Sequence, residues 1–82
     1  MNTFWYVYIL VSQQDSARHY TGMTTDLASR LKEHNRGVCS HTSKYRPWKI
    51  ETSIAFRSEE KARAFELYMK TGSGREFARR HF

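Results

Sequence analysis

The chain has 82 residues, with 14 Lys and Arg against 8 Asp and Glu for a formal charge of +6; that length holds one domain, expected over 1-82, which buries only about 60% of its unfolded surface. One cysteine, Cys39, leaves neither a disulfide nor a zinc cluster to staple the fold, and no disulfide-linked partner is expected. The positive balance suits a polyanionic partner, with nucleic acid first in line.

The apolar run Phe4 to Val11 is too short to span a bilayer and lacks the basic flank and cleavage site of a signal peptide. A cytoplasmic protein with no membrane partner is therefore expected. The run itself is β-branched and aromatic throughout, as in a strand covered on both faces, here Thr3–Ser12. Alternation puts Tyr6, Tyr8 and Leu10 on one side and Trp5, Val7, Ile9 and Val11 on the other. Two tyrosines on one face read as core rings with wet hydroxyls. Ser12 to Arg18 is a polar turn, and His19–Thr21 returns as a short partner strand that ends at Gly22.

Thr25 or Asp26 can cap a helix over Leu27 to Asn35, and Gly37 is its left-handed stop. Leu27 and Leu31 anchor an apolar stripe at i, i+4, with Arg30 and His34 stacked along its edge. A cation and an imidazole there suggest a site. The ordinary explanation is equally simple: an Arg30–Asp26 surface pair worth roughly 0.3–0.5 kcal/mol, and a histidine favoured at a helix C-terminus by the macrodipole.

Arg36 to Pro47 is a polar, basic loop in which Arg36, Lys44 and Arg46 alternate with His41, Thr42, Ser43 and Tyr45. Such a loop fits a phosphate backbone, or simply solvent. Trp48, Ile50, Thr52, Ile54 and Phe56 alternate with polar or small residues, the mark of a half-buried strand over Trp48–Phe56. Ser58 caps a second helix to about Thr71, with Ala62, Phe65 and Met69 on its apolar face. Glu66 lies on that face too, where a carboxylate is costly unless paired, to Arg63 or Lys70, or bound to a cation. Gly72-Ser73-Gly74 is expected to break the chain before a short basic helix over Arg75 to Phe82 with Phe77 as its packing contact. The fold class is α+β: a small three-stranded antiparallel sheet flanked by helices.

Tyr6-Val7-Tyr8, Tyr20-Thr21-Gly22, Arg30, His34 and Glu66, in that order, resemble the GIY-YIG nuclease superfamily. The tracts His41-Thr42-Ser43-Lys44-Tyr45-Arg46-Pro47-Trp48-Lys49 and Lys70-Thr71-Gly72-Ser73-Gly74-Arg75-Glu76-Phe77 are similar to its small stand-alone bacterial members. Tyr6 stands where the family name has glycine, and Val7 and Thr21 replace its isoleucines. Met23 occupies a position that is basic in some members, and no asparagine follows Glu66.

The resemblance implies metal-dependent phosphodiester hydrolysis, by a DNA endonuclease of weak sequence preference. By the same resemblance Tyr8 and Tyr20 orient or deprotonate the attacking water, with nearby cations lowering the phenol. Arg30 would grip the phosphate and His34 relay a proton. Glu66 would be the metal ligand, holding one divalent ion, Mg²⁺ or Mn²⁺. Arg36, Lys44, Arg46, Lys49, Arg75, Arg79 and Arg80 would meet the nucleic acid. Two other classes fit the same residues: a nucleic-acid-binding module of this fold without efficient cleavage, and a basic protein-interaction domain.

Overall fold

A computed structural model describes residues 3–82. It places β1 (Trp5–Ser12), β2 (His19–Thr24), α1 (Leu27–Asn35), β3 (Trp48–Phe56), α2 (Glu59–Met69) and α3 (Gly72–His81) along the chain, with a short 3-10 turn at Ser43–Tyr45. The α+β expectation holds: the strands form one antiparallel sheet in the order β2-β1-β3. β1 is central, which is why its sequence is apolar on both faces, and Val7 through Ser12 are all buried.

Gly22 does not end β2. The strand runs on to Thr24, three residues past the expected Thr21, and Gly22 lies directly opposite Tyr8 in the ladder. A Cβ on Gly22 would overlap the Tyr8 hydroxyl and crowd the Tyr20 ring. The glycine is a notch for a tyrosine side chain inside a strand. The same register sets Tyr20 opposite Leu10.

β3 also departs from its simple reading. Ile9 pairs with Thr52 but Leu10 pairs with Ile50, so Glu51 is an extra residue that bulges the strand. Paired residues share a face, so Thr52, Ile54 and Phe56 lie with Ile9, Val7 and Trp5, while Ile50 and Trp48 lie with Leu10 and Ser12. The alternating apolar row therefore serves two faces. On one, Leu27 and Leu31 of α1 pack against Tyr8, Leu10, Trp48 and Ile50. On the other, Phe65 of α2 meets Phe56 at 5.6 Å between ring centroids, and Phe77 of α3 meets Phe65 at 6.4 Å.

Ser58 caps α2 as expected, accepting from the Lys61 amide. The Gly72-Ser73-Gly74 stretch is helical rather than a break: Thr71 accepts from the Gly74 amide and α3 starts at Gly72. A Cβ on Gly74 would strike the Tyr68 carbonyl and the Met69 backbone, so glycine lets the first turn of α3 lie against the last turn of α2. No helix among the described residues is long and apolar enough to cross a membrane.

Candidate active site

Asp26 starts α1 by accepting from the Ser29 amide at 3.1 Å. At the other end Gly37, with φ 80°, closes it: its amide donates to the His34 carbonyl at 3.2 Å and the Val38 amide donates to the Glu33 carbonyl at 3.1 Å. This double closure holds the last turn, and with it His34. The histidine is not at the edge of the apolar stripe but wholly inside, 0% exposed. Its ring lies 5.0 Å from that of Tyr20 and 5.9 Å from that of Tyr8.

The hydrogen bonds around His34 fix its tautomer. The Thr42 hydroxyl donates to the Cys39 carbonyl at 3.3 Å, so its oxygen is free to accept from His34 Nδ1 at 2.8 Å. Nδ1 then carries the proton and Nε2 does not, and Tyr8 Oη donates to Nε2 at 3.0 Å. The Tyr8 hydroxyl proton is therefore committed to a histidine. Thr42 is itself 0% exposed and its carbonyl accepts from Trp48 Nε1 at 2.8 Å. Asn35 holds the Trp48 backbone from both sides, its amide nitrogen donating at 3.0 Å and its oxygen accepting at 2.6 Å.

Thr42 is the site residue that sequence reasoning missed. It sits in a loop whose composition signals solvent and cations, and nothing local marks one hydroxyl as buried.

Burial pushes the Tyr8 phenol up to about 12, against the pull of the Arg30 guanidinium beside it. This reverses the expectation that neighbouring cations lower it: at a group 2% exposed, desolvation outweighs one partly solvated cation. Burial first, then Arg30, also holds His34 below the ordinary 6.5, so the imidazole is neutral at pH 7. It is not the protonated C-terminal histidine that a macrodipole would favour. Arg30 is 34% exposed and pairs with Glu33 at 2.7 Å, not with Asp26. Glu33 first and Tyr8 second hold it above the usual arginine value.

Tyr8, Tyr20, Arg30 and His34 are thus one cluster on the α1 face of the sheet. Glu66 is not joined to it by any hydrogen bond among the described residues. It rides on α2, over the opposite face, and pairs with Lys70 at 3.3 Å, while Arg63 pairs with Glu59 at 3.1 Å. The Glu66 side chain is 16% exposed and its lysine partner 48%. No group of three or more His, Cys, Asp and Glu side chains among the described residues could hold a metal. The one carboxylate that a divalent ion would find here is Glu66, and such an ion would have to displace Lys70 from it.

The cations expected to meet nucleic acid form two groups. Arg36, Lys44 and Arg46 surround the C-terminus of α1 and the Thr42 loop. Arg46 packs over Gly37 and donates to the Ser43 carbonyl at 2.9 Å. Arg75, Arg79 and Arg80 line α3 on the other side, where Arg79 and Arg80 share Glu76. Lys49 stands opposite Val11, on that second face.

Residues 4–79 match the GIY-YIG catalytic domain. The chain is 36% identical over 67 residues to a UPF0213 protein of Cupriavidus pinatubonensis, a match that covers 80% of this chain and 72% of that one. It is 41% identical over 51 residues to the structure-specific endonuclease subunit slx1 of Schizosaccharomyces japonicus, covering 57% of this chain and 19% of that one. The solution NMR structure of a UPF0213 protein from Bacillus halodurans has the same fold, with a TM-score of 0.56 at 35% identity over 93% of this chain and 80% of that one. With a match this long and both tyrosine motifs on paired strands, the chain belongs to the GIY-YIG family.

Proposed function

We propose that this chain cleaves phosphodiester bonds in nucleic acid, as a DNA endonuclease of weak sequence preference assisted by one divalent ion. Membership of a nuclease family supports the reaction class. The observation that carries the mechanism is the Tyr8–His34–Thr42 relay, at 3.0 and 2.8 Å, beside Arg30.

Arg30 is the exposed edge of the cluster and offers two parallel donors to a phosphate. Tyr20, less buried than Tyr8, orients the attacking water. With its phenol near 12, Tyr8 does not stand as a phenolate. Its proton moves to His34 Nε2 only as it takes one from the water; the water oxygen bonds to phosphorus, and the leaving oxygen departs on the far side and takes its proton from solvent. The imidazolium keeps Nδ1–H on Thr42, and Arg30, which disfavours its charge, drives the proton off again after turnover. Glu66, the residue that would hold a divalent ion such as Mg²⁺ or Mn²⁺, stands on α2 over the other face of the sheet and is paired with Lys70; an ion there would supply charge neutralisation to a bound phosphate.

Two features favour a second reading, a nucleic-acid-binding domain without efficient cleavage: Tyr8 is 2% exposed, and Glu66 is engaged by Lys70. Labelled duplex, nicked, branched and single-stranded DNA, incubated with and without Mg²⁺ and Mn²⁺, separates the two. Metal-dependent scission that Arg30→Ala removes supports the nuclease. Binding in every arm with scission in none supports the binding domain.

A further inference from the structure

On the face of the sheet opposite His34 lies an open cleft of about 960 Å³ between the β2 edge and α3. Its apolar wall is Ile9, Met69, Ala78 and Phe82, and its rim carries Arg18, Lys70, Arg75 and Arg79 against a single acidic side chain, Glu51. Glu51 is already engaged by His19 at 3.5 Å. Arg75 has no carboxylate partner among the described residues, whereas Arg18, Lys70 and Arg79 pair with Asp15, Glu66 and Glu76. The ligand that belongs there is an anion with an apolar face.

We infer that the cleft takes an unpaired nucleotide segment of the substrate, phosphate on Arg75 and base against Phe82 and Met69. This rests on the nucleic-acid reading above and gives it a substrate class. A straight duplex presents phosphates and groove edges, so the apolar wall would face nothing. A splayed base has a π-face to lay on an aromatic side chain, the usual mode of single-strand recognition. Phe82 is 42% exposed, and it continues a ring cluster through Phe77, 5.6 Å away, to Tyr68. A base stacked on Phe82 extends that cluster by one ring.

The position matters as well. β2 is an edge strand, and Tyr20 borders the cleft while its ring reaches His34 on the other face. A strand that leaves an unpaired nucleotide in the cleft and turns round the β2 edge presents its next phosphates toward Tyr20 and Arg30.

The test compares the full chain with Ala78→Trp, which fills the cleft without changing charge, and Arg75→Glu, which reverses its free cation. Fluorescence anisotropy in EDTA reads the affinity for a single-stranded 12-mer and the matching duplex over a salt series. Circular dichroism melts confirm that each variant is folded. Ala78→Trp should weaken single-strand binding at least about tenfold while duplex affinity stays within about threefold, and Arg75→Glu should weaken single-strand binding by a larger factor than duplex binding. Arg75→Glu alone should also flatten the salt dependence, by about one phosphate contact. Parallel losses for both ligands, or unchanged single-strand binding, would overturn the inference. Cleavage on the DNA panel is scored separately: an unselective cleft with intact Arg30-dependent scission removes only this inference, whereas selective binding with no scission removes only the nuclease.

Discussion

Replacing Thr42 with Val deletes one oxygen from the middle of the buried relay and keeps the branched shape. Thr42 Oγ1 is the acceptor for His34 Nδ1–H at 2.8 Å, and both residues are 0% exposed. The valine leaves that N–H buried with nowhere to donate, at a cost of about 1–3 kcal/mol. The other tautomer gives no escape, because Nε2–H would then compete with the Tyr8 hydroxyl proton, which has no second acceptor among the hydrogen bonds of the site. For a domain of this size each kcal/mol lowers the melting temperature by roughly 4–8 °C. Thr42→Ser keeps the oxygen and loses a methyl, about 0.8 kcal/mol by transfer alone, so the order of stability should be Thr, then Ser, then Val.

Urea midpoints at pH 7.5 for Thr42→Val, His34→Phe and the double variant give the coupling. With Phe at position 34 no donor faces position 42, and the valine should then cost little; a coupling of at least about 1 kcal/mol is expected. Nitrogen-15 shifts of the imidazole in the native protein should show a protonated Nδ1. A valine variant as stable as the native chain, or a valine cost that is the same in both backgrounds, would refute the relay.

Arg30→Ala should abolish cleavage while costing under about 1 kcal/mol, because its ion pair with Glu33 joins two partly exposed groups; wild-type cleavage by the variant would remove the phosphate role. Tyr8 holds its proton to about 12 in the fold against 10.0 in the unfolded chain, so its share of stability is full below pH 10 and is lost as pH rises through 12. That share is about 2–3 kcal/mol, and Tyr8→Phe should flatten the alkaline limb, whereas parallel limbs would deny the burial. His34 is lowered below 6.5, so the unfolded chain protonates first and stability should fall as pH drops below 6.5, then level off beneath the folded value. His34→Phe should show a smaller acid slope across that window. Glu66→Gln should abolish cleavage and the Mn²⁺-induced rise in melting temperature, with metal-free stability within about 1 kcal/mol of native, since Lys70 is half exposed. A destabilised variant that still responds to Mn²⁺ would take Glu66 out of the site.

Local rules carried much of the fold. Alternation placed Tyr8 and Leu10 on one face of β1, and the Asp26 and Ser58 caps and the Gly37 stop bounded two helices, because each depends on a few neighbouring residues. Local rules fail where a distant partner sets the outcome. Gly22 resembles a strand end until the register shows Tyr8 lying across it, and Gly74 resembles a break until α2 is packed against it. The apolar row of β3 gives no hint that Glu51 bulges and divides it between two faces, since sequence alternation continues unbroken through the bulge.

The candidate site shows the same division more sharply. Arg30 and His34 were visible as an i, i+4 pair, but their placement was not, because helix periodicity cannot say how deep an edge lies. What decides the depth of His34 is whether both ring nitrogens can be satisfied inside the core. Nε2 finds Tyr8, 26 positions earlier, and Nδ1 finds Thr42, 8 positions later, in a loop that reads as solvent. Remove either partner and burial of the imidazole becomes costly, so the histidine's depth is a property of three segments at once. The same three segments move the phenol and the imidazole apart, one up and one down. Tyr8 is thereby held as a donor already aimed at a neutral base, and Arg30 is left as the partly exposed member of the cluster.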